Sequence, residues 1–585
     1  MSDDHDAKTE SPKLSPVEGI KIESNGLYGA IGDELAEPTP NFSEGSVQLL
    51  KHHGSYQQDD RDTRTQRKKE GLGRDYKMML RTKFPGGILT TEQYLICDDL
   101  CSKYGQEDLR VTSRQDFQFH GVTKNDLRPL INDVNRLAKI TTLGGCGDVV
   151  RNTMAAPVAD IDPKFQDCGA DLIAISEGIS DYFLPATNSY FDLWLDDEKA
   201  TVNSDGTVSI ALNGNVKPVD EPLYGATYLP RKFKIGIATD FDNSVDAYTQ
   251  DIGIIAATEN GAIVGYEVLV GGGLGYSHRK PKTYARAGTA LAFVDEADLI
   301  PIIETIVKVQ RDHGGRADRK HARLKYLIDD WGFDKFKATV WEYAGREYPE
   351  PRGITPTDQP DYLGWSKQSQ DGLNYVGVWV ENGRVRDFGN GYRFRSGLRA
   401  IIEKFKPSIR LTPHHNVILA NIADADVDAV QAMLDEYGIP TDANISSIRR
   451  MEMACPALPL CGLAMAEAER GMPELMSGIE ALGHGDANVI IRMSGCPNNC
   501  SRPRSAEIGI IGAGADRYEL YTGGEYNGTR LNEPVAEKLK AAQLPVIIGH
   551  LFDHWKADGV DGERFGDWSA RIGVEAIQAL IAEKS

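Results

Sequence analysis

Four of the eight cysteines of this chain crowd into its last quarter. Cys455 and Cys461 form a C-x5-C pair, Cys496 and Cys500 a C-x3-C pair, and thirty-four residues lie between the pairs. Clustered thiols in a chain too poor in cysteine for a disulfide scaffold point to metal ligation. Zinc knuckles bring their ligands two to four residues apart within a pair. The C-x5-C spacing therefore favours an iron–sulfur cluster, which thiolates suit, with zinc or unliganded core thiols as the alternatives. Pro456 and Pro497 follow Cys455 and Cys496 directly and stiffen both loops. Gly462 and Gly495 would let the backbone come close, and the Asn498 and Asn499 amides could donate to sulfur. The segment 462–479 reads as a helix whose first amides would face the anionic thiolates. Cys97, Cys101 and Cys168 read as structural.

Two basic segments could handle anions. If LRVTSR is one strand, residues 110, 112 and 114 share a face, and Arg110 and Arg114 share a target. In RKFK, Lys232 and Lys234 face one side with Phe233 opposite. Two lysines held beside an arginine depress each other's pKa and can donate protons. The same alternation is also ordinary on an exposed strand. The Gly-rich turn at 270–273 lacks the G-x-G-x-x-G spacing of a dinucleotide loop and reads as close backbone packing. With no flavin or nicotinamide motif, electrons would have to come from another protein.

These residues need elements to hold them. MMLRTKFPGGILT reads as a strand ending in a Pro-Gly-Gly turn, and TTEQYLICDDLCSKYG as a helix with a Thr N-cap. DLRVTSRQDFQFHGV reads as a second strand, completing a β–α–β unit. A weaker copy covers 393–422, where RLTPHHNVI aligns with RVTSRQDFQ. A second echo pairs the apolar strand and Gly turn of LVGGGLG with LYTGGEYNG. Two echoes in the same order predict an internal duplication. The expected divisions are a flexible N-terminal arm over 1–45 and an extended arm over 46–76. First copies follow at 77–145 and 146–346, a Pro/Gly-rich linker at 347–365, and second copies at 366–430 and 431–585.

Hydrophobic residues make up 41 % of the 585 and charged residues 26 %, ordinary for a globular protein. With 65 Lys and Arg against 86 Asp and Glu, the net charge of −21 argues against nucleic acid or a membrane surface as partner. The polar N-terminus is unlike a signal peptide, and no apolar run of membrane-spanning length exists, so a cytoplasmic location is expected.

ACPALPLCGLAMAEAER followed by SGCPNNC resembles the sulfite and nitrite reductases that couple sirohaem to a [4Fe–4S] cluster. HHGSYQQDDRD, MLRTKFPGG, LRVTSRQDFQFHG, YLPRKFK, KTYAR and RADRKHARLKY occur in the order found in the haemoprotein (beta) subunits of assimilatory sulfite reductases. The resemblance spans roughly residues 45–575. It implies a mixed α+β fold, internally duplicated, with two ferredoxin-like half-domains and two sirohaem-binding α/β domains. It implies that Cys455, Cys461, Cys496 and Cys500 hold the cluster and that Cys500 is also the axial ligand of sirohaem. Sirohaem bears eight carboxylates, and the resemblance assigns its binding to Arg110, Arg114, Gln118, His120, Asn498 and Arg530. It assigns the anion site to Arg81, Arg151, Lys232 and Lys234. The implied reaction is six-electron reduction of sulfite to sulfide in sulfur assimilation and cysteine biosynthesis. Electrons would come from an NADPH-oxidising flavoprotein subunit, favoured by HHGSYQQDDRD and the acidic charge, or from ferredoxin. Nitrite reduction to ammonia on the same centre is the nearest alternative. A non-catalytic iron–sulfur or zinc protein would leave the Gly turns and the basic residues unexplained. Some relatives join a cysteine at the position of Cys146 to a tyrosine, for which Tyr56 would be a partner; a free buried thiol is the favoured reading.

Overall fold

In the computed structural model, which describes residues 13–165, 168–202, 208–211, 221–388 and 392–584, the predicted β–α unit begins as expected. Thr90 accepts from the Gln93 amide and Gln93 reaches back, a capping box that starts the helix Thr91–Tyr104. The predicted second strand is instead a hairpin. Thr112 N–H donates to Asp116 O at 2.9 Å, and Gln115 turns the chain at φ 57°. Leu109–Val111 thereby folds back on Phe117–Val122. The aligned copy makes the same turn: Thr412 N–H donates to Asn416 O at 2.9 Å, and His415 has φ 71°. The duplication predicted from RVTSRQDFQ and RLTPHHNVI is thus visible bond by bond.

Each hairpin belongs to a five-stranded antiparallel sheet, and the sheets exchange their last strands. In the first sheet Ser55–Asp59, Tyr76–Arg81, Phe117–Val122 and Leu109–Val111 lie side by side, and Arg384–Val385 from the second copy completes it. In the second, Gly364–Lys367, Leu373–Val378, Val417–Ala423 and Ser408–Leu411 are completed by Ile88–Leu89 from the first copy. Neither half-domain therefore closes its sheet alone. The boundary expected at 430/431 falls inside the helix Val427–Tyr437.

Two further five-stranded sheets carry the second echo. Met154–Ala155, Ile235–Thr239 and Ile252–Glu259 run parallel, followed by antiparallel Ala262–Val270 and Thr289–Val294. Met453–Ala454, Ile491–Ser494 and Ile508–Gly514 repeat the parallel part, Arg517–Thr522 and Glu533–Leu539 the antiparallel part. The Gly turns coincide. A Cβ on Gly272 would lie 2.3 Å from Tyr248 O, and one on Gly524 would lie 2.1 Å from Ala506 O. Only glycine fits at either place.

The N-terminal segment departs from expectation. Residues 13–45 pack on the body: Leu27, Tyr28, Ile31, Leu35 and Phe42 are buried, and Lys21 Nζ donates to Leu229 O at 3.0 Å. The apolar residues of GLYGAIGDEL outweigh the polar composition that suggested a free arm; residues 1–12 lie outside the described residues. The expected extended arm at 46–76 contributes the edge strand Ser55–Asp59 and the helix Arg64–Lys69. Among the described residues no helix is long and apolar enough to cross a membrane.

Glu452, just before the strand Met453–Ala454, is buried with both carboxylate oxygens unpartnered. Burial pushes its pKa up to about 8. Folded Glu452 stays protonated at pH 7, whereas an unfolded glutamate ionises near pH 4.3. Between those values the unfolded state binds fewer protons, so stability falls as pH rises, by about 1.4 kcal/mol per pH unit. Glu452→Gln is expected to flatten that fall between pH 5 and 8. Denaturant midpoints across the window check it, and an unchanged slope would refute the assignment.

Candidate functional site

The parallel strand Ile491–Ser494 runs into Gly495, which admits no side chain: a Cβ there would lie 2.6 Å from both Ala457 and Ala466 O. This packing sets the 496–500 loop against the 455–461 loop. Burial pushes the Cys455 thiol far up, and Cys500, Cys496 and Cys461 push it further. Cys461 is raised by burial and by Cys500, and Cys496 goes up to about 12 for the same two reasons. Cys500 thus opposes the ionisation of the other three thiols, which places all four in one group whose negative charge iron would balance.

Donors already surround the sulfurs. Gly495 N–H donates to Cys455 Sγ at 3.3 Å, and Asn498 Nδ2 lies 3.5 Å from Cys496 Sγ. The Leu463 and Ala464 amides serve Cys461. They do so from a loop, because the helix predicted over 462–479 begins only at Met472. Gly462 has open space around it. The Asn499 amide goes elsewhere, to Leu274 O at 2.9 Å and Pro497 O at 3.0 Å, while Tyr276 N–H donates to Pro497 O at 2.9 Å. The Gly-rich turn thus braces the cysteine loop. From the N-terminal side, Arg61 clasps Cys461 O at 3.1 Å and Ala464 O at 3.0 Å.

Cys455 and Cys496 are buried, whereas Cys500 is exposed and looks toward the basic residues. Its charge is felt by Arg81, Lys232 and Lys234 together. Lys232 and Lys234 flank Phe233, as the alternation predicts, and Phe233 holds the backbone by pairing with Val150. Burial, then Arg231 and Arg151, lowers the Lys232 pKa to about 7. Lys234 falls well below the usual range through burial, Lys232 and Arg114. Among the described residues neither ammonium has a hydrogen-bond or ion-pair partner, although both are largely buried. Arg151 is fixed by Gly147 O at 3.1 Å and touches Tyr56 Oη at 3.3 Å. Arg81 is aimed by Asp116 at 3.8 Å, and Cys146 lies buried and unbridged beside it. Gln118 turns its oxygen to Arg81 Nε at 3.1 Å and its nitrogen to His120 Nε2 at 3.0 Å. Burial keeps His120 neutral, and its Nδ1 has no partner.

Arg110 and Arg114 do not share a target. The strand ends at Val111, so the hairpin sends them apart. Arg110 pairs with Glu469 and donates to Ala454 O at 2.7 Å, beneath Cys455. Arg384 also grips Glu469, at 2.9 Å. Arg114 spans Gln250 at 2.9 Å, Asn152 O and Ile235 O, but leaves Nε unpartnered. Arg530 does not join the others: it pairs with Asp567 at 2.6 Å and donates to Gly523 O at 2.8 Å. Arg286 does the same for Gly271 O at 3.0 Å in the other copy, so Arg530 fastens its Gly turn.

Some contributors were not singled out from sequence. Arg231 adds charge beside Lys232. Arg323 forks onto Asp251 at 2.8 and 2.9 Å, and the Asp251 carboxylate also accepts from the Lys234 amide at 2.9 Å. Lys325 donates to Gly273 O at 2.8 Å and Gly275 O at 2.9 Å, holding the Gly-rich turn. Both lie in RADRKHARLKY, where two basic residues two apart were the available signal.

Residues 179–348 and 449–585 match the profile of the nitrite and sulphite reductase 4Fe-4S domain. Residues 72–137 and 366–437 match that of the nitrite/sulfite reductase ferredoxin-like half domain. The sulfite reductase [NADPH] hemoprotein beta-component of Staphylococcus haemolyticus is 40 % identical over 569 residues, covering 96 % of both chains. The sulfite reductase [ferredoxin] of Synechococcus elongatus is 39 % identical over 577 residues, 97 % of this chain and 90 % of its own. The solved structure of the Mycobacterium tuberculosis NirA protein superposes with a TM-score of 0.76 at 22 % identity, covering 97 % of this chain and 98 % of that one. It shares the mixed α+β, internally repeated fold.

Proposed function

Since the chain belongs to the nitrite and sulfite reductase family, we propose that it reduces sulfite to sulfide as the haemoprotein component of an assimilatory sulfite reductase. The cofactor pair is sirohaem and a [4Fe–4S] cluster. Bound here, they would supply electrons one at a time. Cys455, Cys461, Cys496 and Cys500 would hold the cluster, and Cys500, the exposed thiol of the four, would also serve the sirohaem.

The observation that carries the reading is the cation group facing Cys500: Arg81 and two largely buried lysines that have no partner among the described residues, with Arg151 beside Lys232. Burying such charges costs free energy unless an anion arrives. Sulfite taken to sulfide gains six electrons and sheds three oxygens as water, so the site must supply protons. Lys232, lowered to about 7, is suited to give one at neutral pH. Arg81 and Arg151, each offering a planar fork of donors, hold the oxyanion. Gln118 and His120 act through Arg81 by fixing its guanidinium. Arg110 acts through Glu469 and the Cys455 loop, Arg114 beneath Lys234, and Asn498 on Cys496.

Visible absorption of the purified protein should show sirohaem, and reduced methyl viologen should be oxidised on sulfite addition with sulfide formed. Sirohaem with a marked preference for nitrite would move the substrate; no sirohaem from a host that makes it would overturn the proposal. For the donor we favour an NADPH-oxidising flavoprotein, supported by the HHGSYQQDDRD segment and by relatives so named. The net charge of −21 also gives no overall attraction to an acidic ferredoxin. Reconstitution with each donor should give the faster sulfite turnover with the flavoprotein; a faster ferredoxin reaction would reverse the assignment. Reduced clustered thiols and a soluble donor suit the cytoplasm.

A further inference from the structure

On the far end of the second cluster-side domain, the helix Leu544–Asp558 carries His550 and His554 one turn apart on one face. The last helix, Val574–Ala582, packs across it and ends at Glu583. One ligating atom from each of His550, His554 and Glu583 lies within 4.8 Å of the other two. His550 Nε2 stands 3.1 Å from Glu583 Oε2, and the two imidazoles meet edge to face with centroids 4.7 Å apart.

We propose that His550, His554 and Glu583 form a zinc-binding site that clamps the C-terminal helix to the helix Leu544–Asp558. A shared proton between His550 and Glu583 would account for two of the three groups and leave His554 without a reason to be there. Its nearest carboxylate, Asp558, is 3.9 Å away, beyond hydrogen-bond reach. A divalent cation engages all three. Two imidazoles and a carboxylate are a ligand set that zinc accepts, with water completing the tetrahedron. Bonds of about 2.0–2.2 Å require the donor atoms to close to roughly 3.3 Å. Glu583 is 58 % exposed at a helix end, so its carboxylate is free to make that move. The site shares no residue with the cysteine loops or the basic cluster. Its consequence is structural: the helix holding Ile577 and Ile581 in the domain core would be pinned at its free end.

Equilibrium dialysis of the cofactor-loaded protein against micromolar zinc tests this, the loaded form keeping the four cysteines engaged. One zinc per chain is expected, lost in His550→Gln and in His554→Gln and weakened in Glu583→Gln. Zinc should also slow amide exchange in residues 574–583 of the unsubstituted protein and not in the histidine variants. The three positions lie outside the cysteine loops and the basic cluster, and sulfite reduction with reduced methyl viologen should be unaffected by their replacement. Absence of bound zinc, zinc uptake that His554→Gln leaves unchanged, or exchange that zinc does not slow would each overturn the proposal.

Discussion

Lys232→Met is expected to lower kcat/KM for sulfite by about 10²- to 10³-fold, the loss typical of removing one preorganised charge from a developing oxyanion. The same substitution should leave the thermal midpoint unchanged or raise it. Lys232 is largely buried beside Arg231, Arg151 and Lys234, and no carboxylate among the described residues pairs with it. A methionine of similar length fills the space and removes both the desolvation cost and the repulsion. A structural lysine would behave in the opposite way, costing stability and sparing turnover. Steady-state kinetics with reduced methyl viologen, beside a melting curve of the same sample, separates the two. Activity within about threefold of the parent, against the hundredfold expected, would remove Lys232 from the site. Lys232→Arg keeps the charge but not the dispensable proton, so it should retain sulfite binding while losing turnover.

Asp246→Ala is expected to destabilise the protein by about 3–5 kcal/mol, because it strands two buried guanidinium groups. Asp246 Oδ2 pairs with Arg492 at 2.7 Å and with Arg502 at 2.9 Å, and Gln359 donates to its other oxygen at 2.8 Å. All four side chains are buried. The network ties the sheet of Ile235–Thr239 and Ile252–Glu259 to that of Ile491–Ser494 and Ile508–Gly514, and includes the linker residue Gln359. Asp246 and Arg502 occupy matching places in the two copies: each has a positive φ, 51° and 58°, and each precedes a short 3-10 turn leading into a central strand. The pair therefore joins the copies across their pseudo-symmetry. Arg502 follows Cys500 by two residues, so loss of Asp246 should also loosen the cysteine loop. Urea unfolding followed by visible absorption should show the cofactor bands lost at lower denaturant. A midpoint indistinguishable from the parent would show the pair to be dispensable. Asp246→Asn keeps one accepting oxygen but turns an amide donor toward either Gln359 or the guanidinium pair, and it should fall between the two.

The chemistry was largely legible in the chain. The C-x5-C and C-x3-C pairs, the two lysines on alternate positions, and the paired echoes are local patterns, and local patterns determine residue type, strand face and turn. The Thr112 and Thr412 turns and the Gly272 and Gly524 contacts show why the echoes survive: each position is set by backbone geometry that few residues satisfy. The N-terminal segment packs on the body through partners more than a hundred positions away, Lys21 on Leu229 and Tyr28 on Asp192 for example, which no local composition reveals. The alternation that puts Arg110 and Arg114 on one face does not reveal the hairpin that ends the strand at Val111. Arg530 resembled a carboxylate binder until Asp567, thirty-seven residues on, supplied the carboxylate.

Local pattern was thus enough to nominate the thiols and basic residues and to show that the chain is doubled. Only the tertiary structure decided what those groups face. It set Cys500 opposite Arg81, Lys232 and Lys234, exchanged a strand between the half-domains, and coupled Asp246 to Arg492 and Arg502. The physical reason is the distance along the chain over which each is specified. Strand faces and turns depend on neighbours within a few residues. Burial, pairing of charges and the pKa values that follow depend on groups brought together from hundreds of residues apart, and no local spacing encodes them.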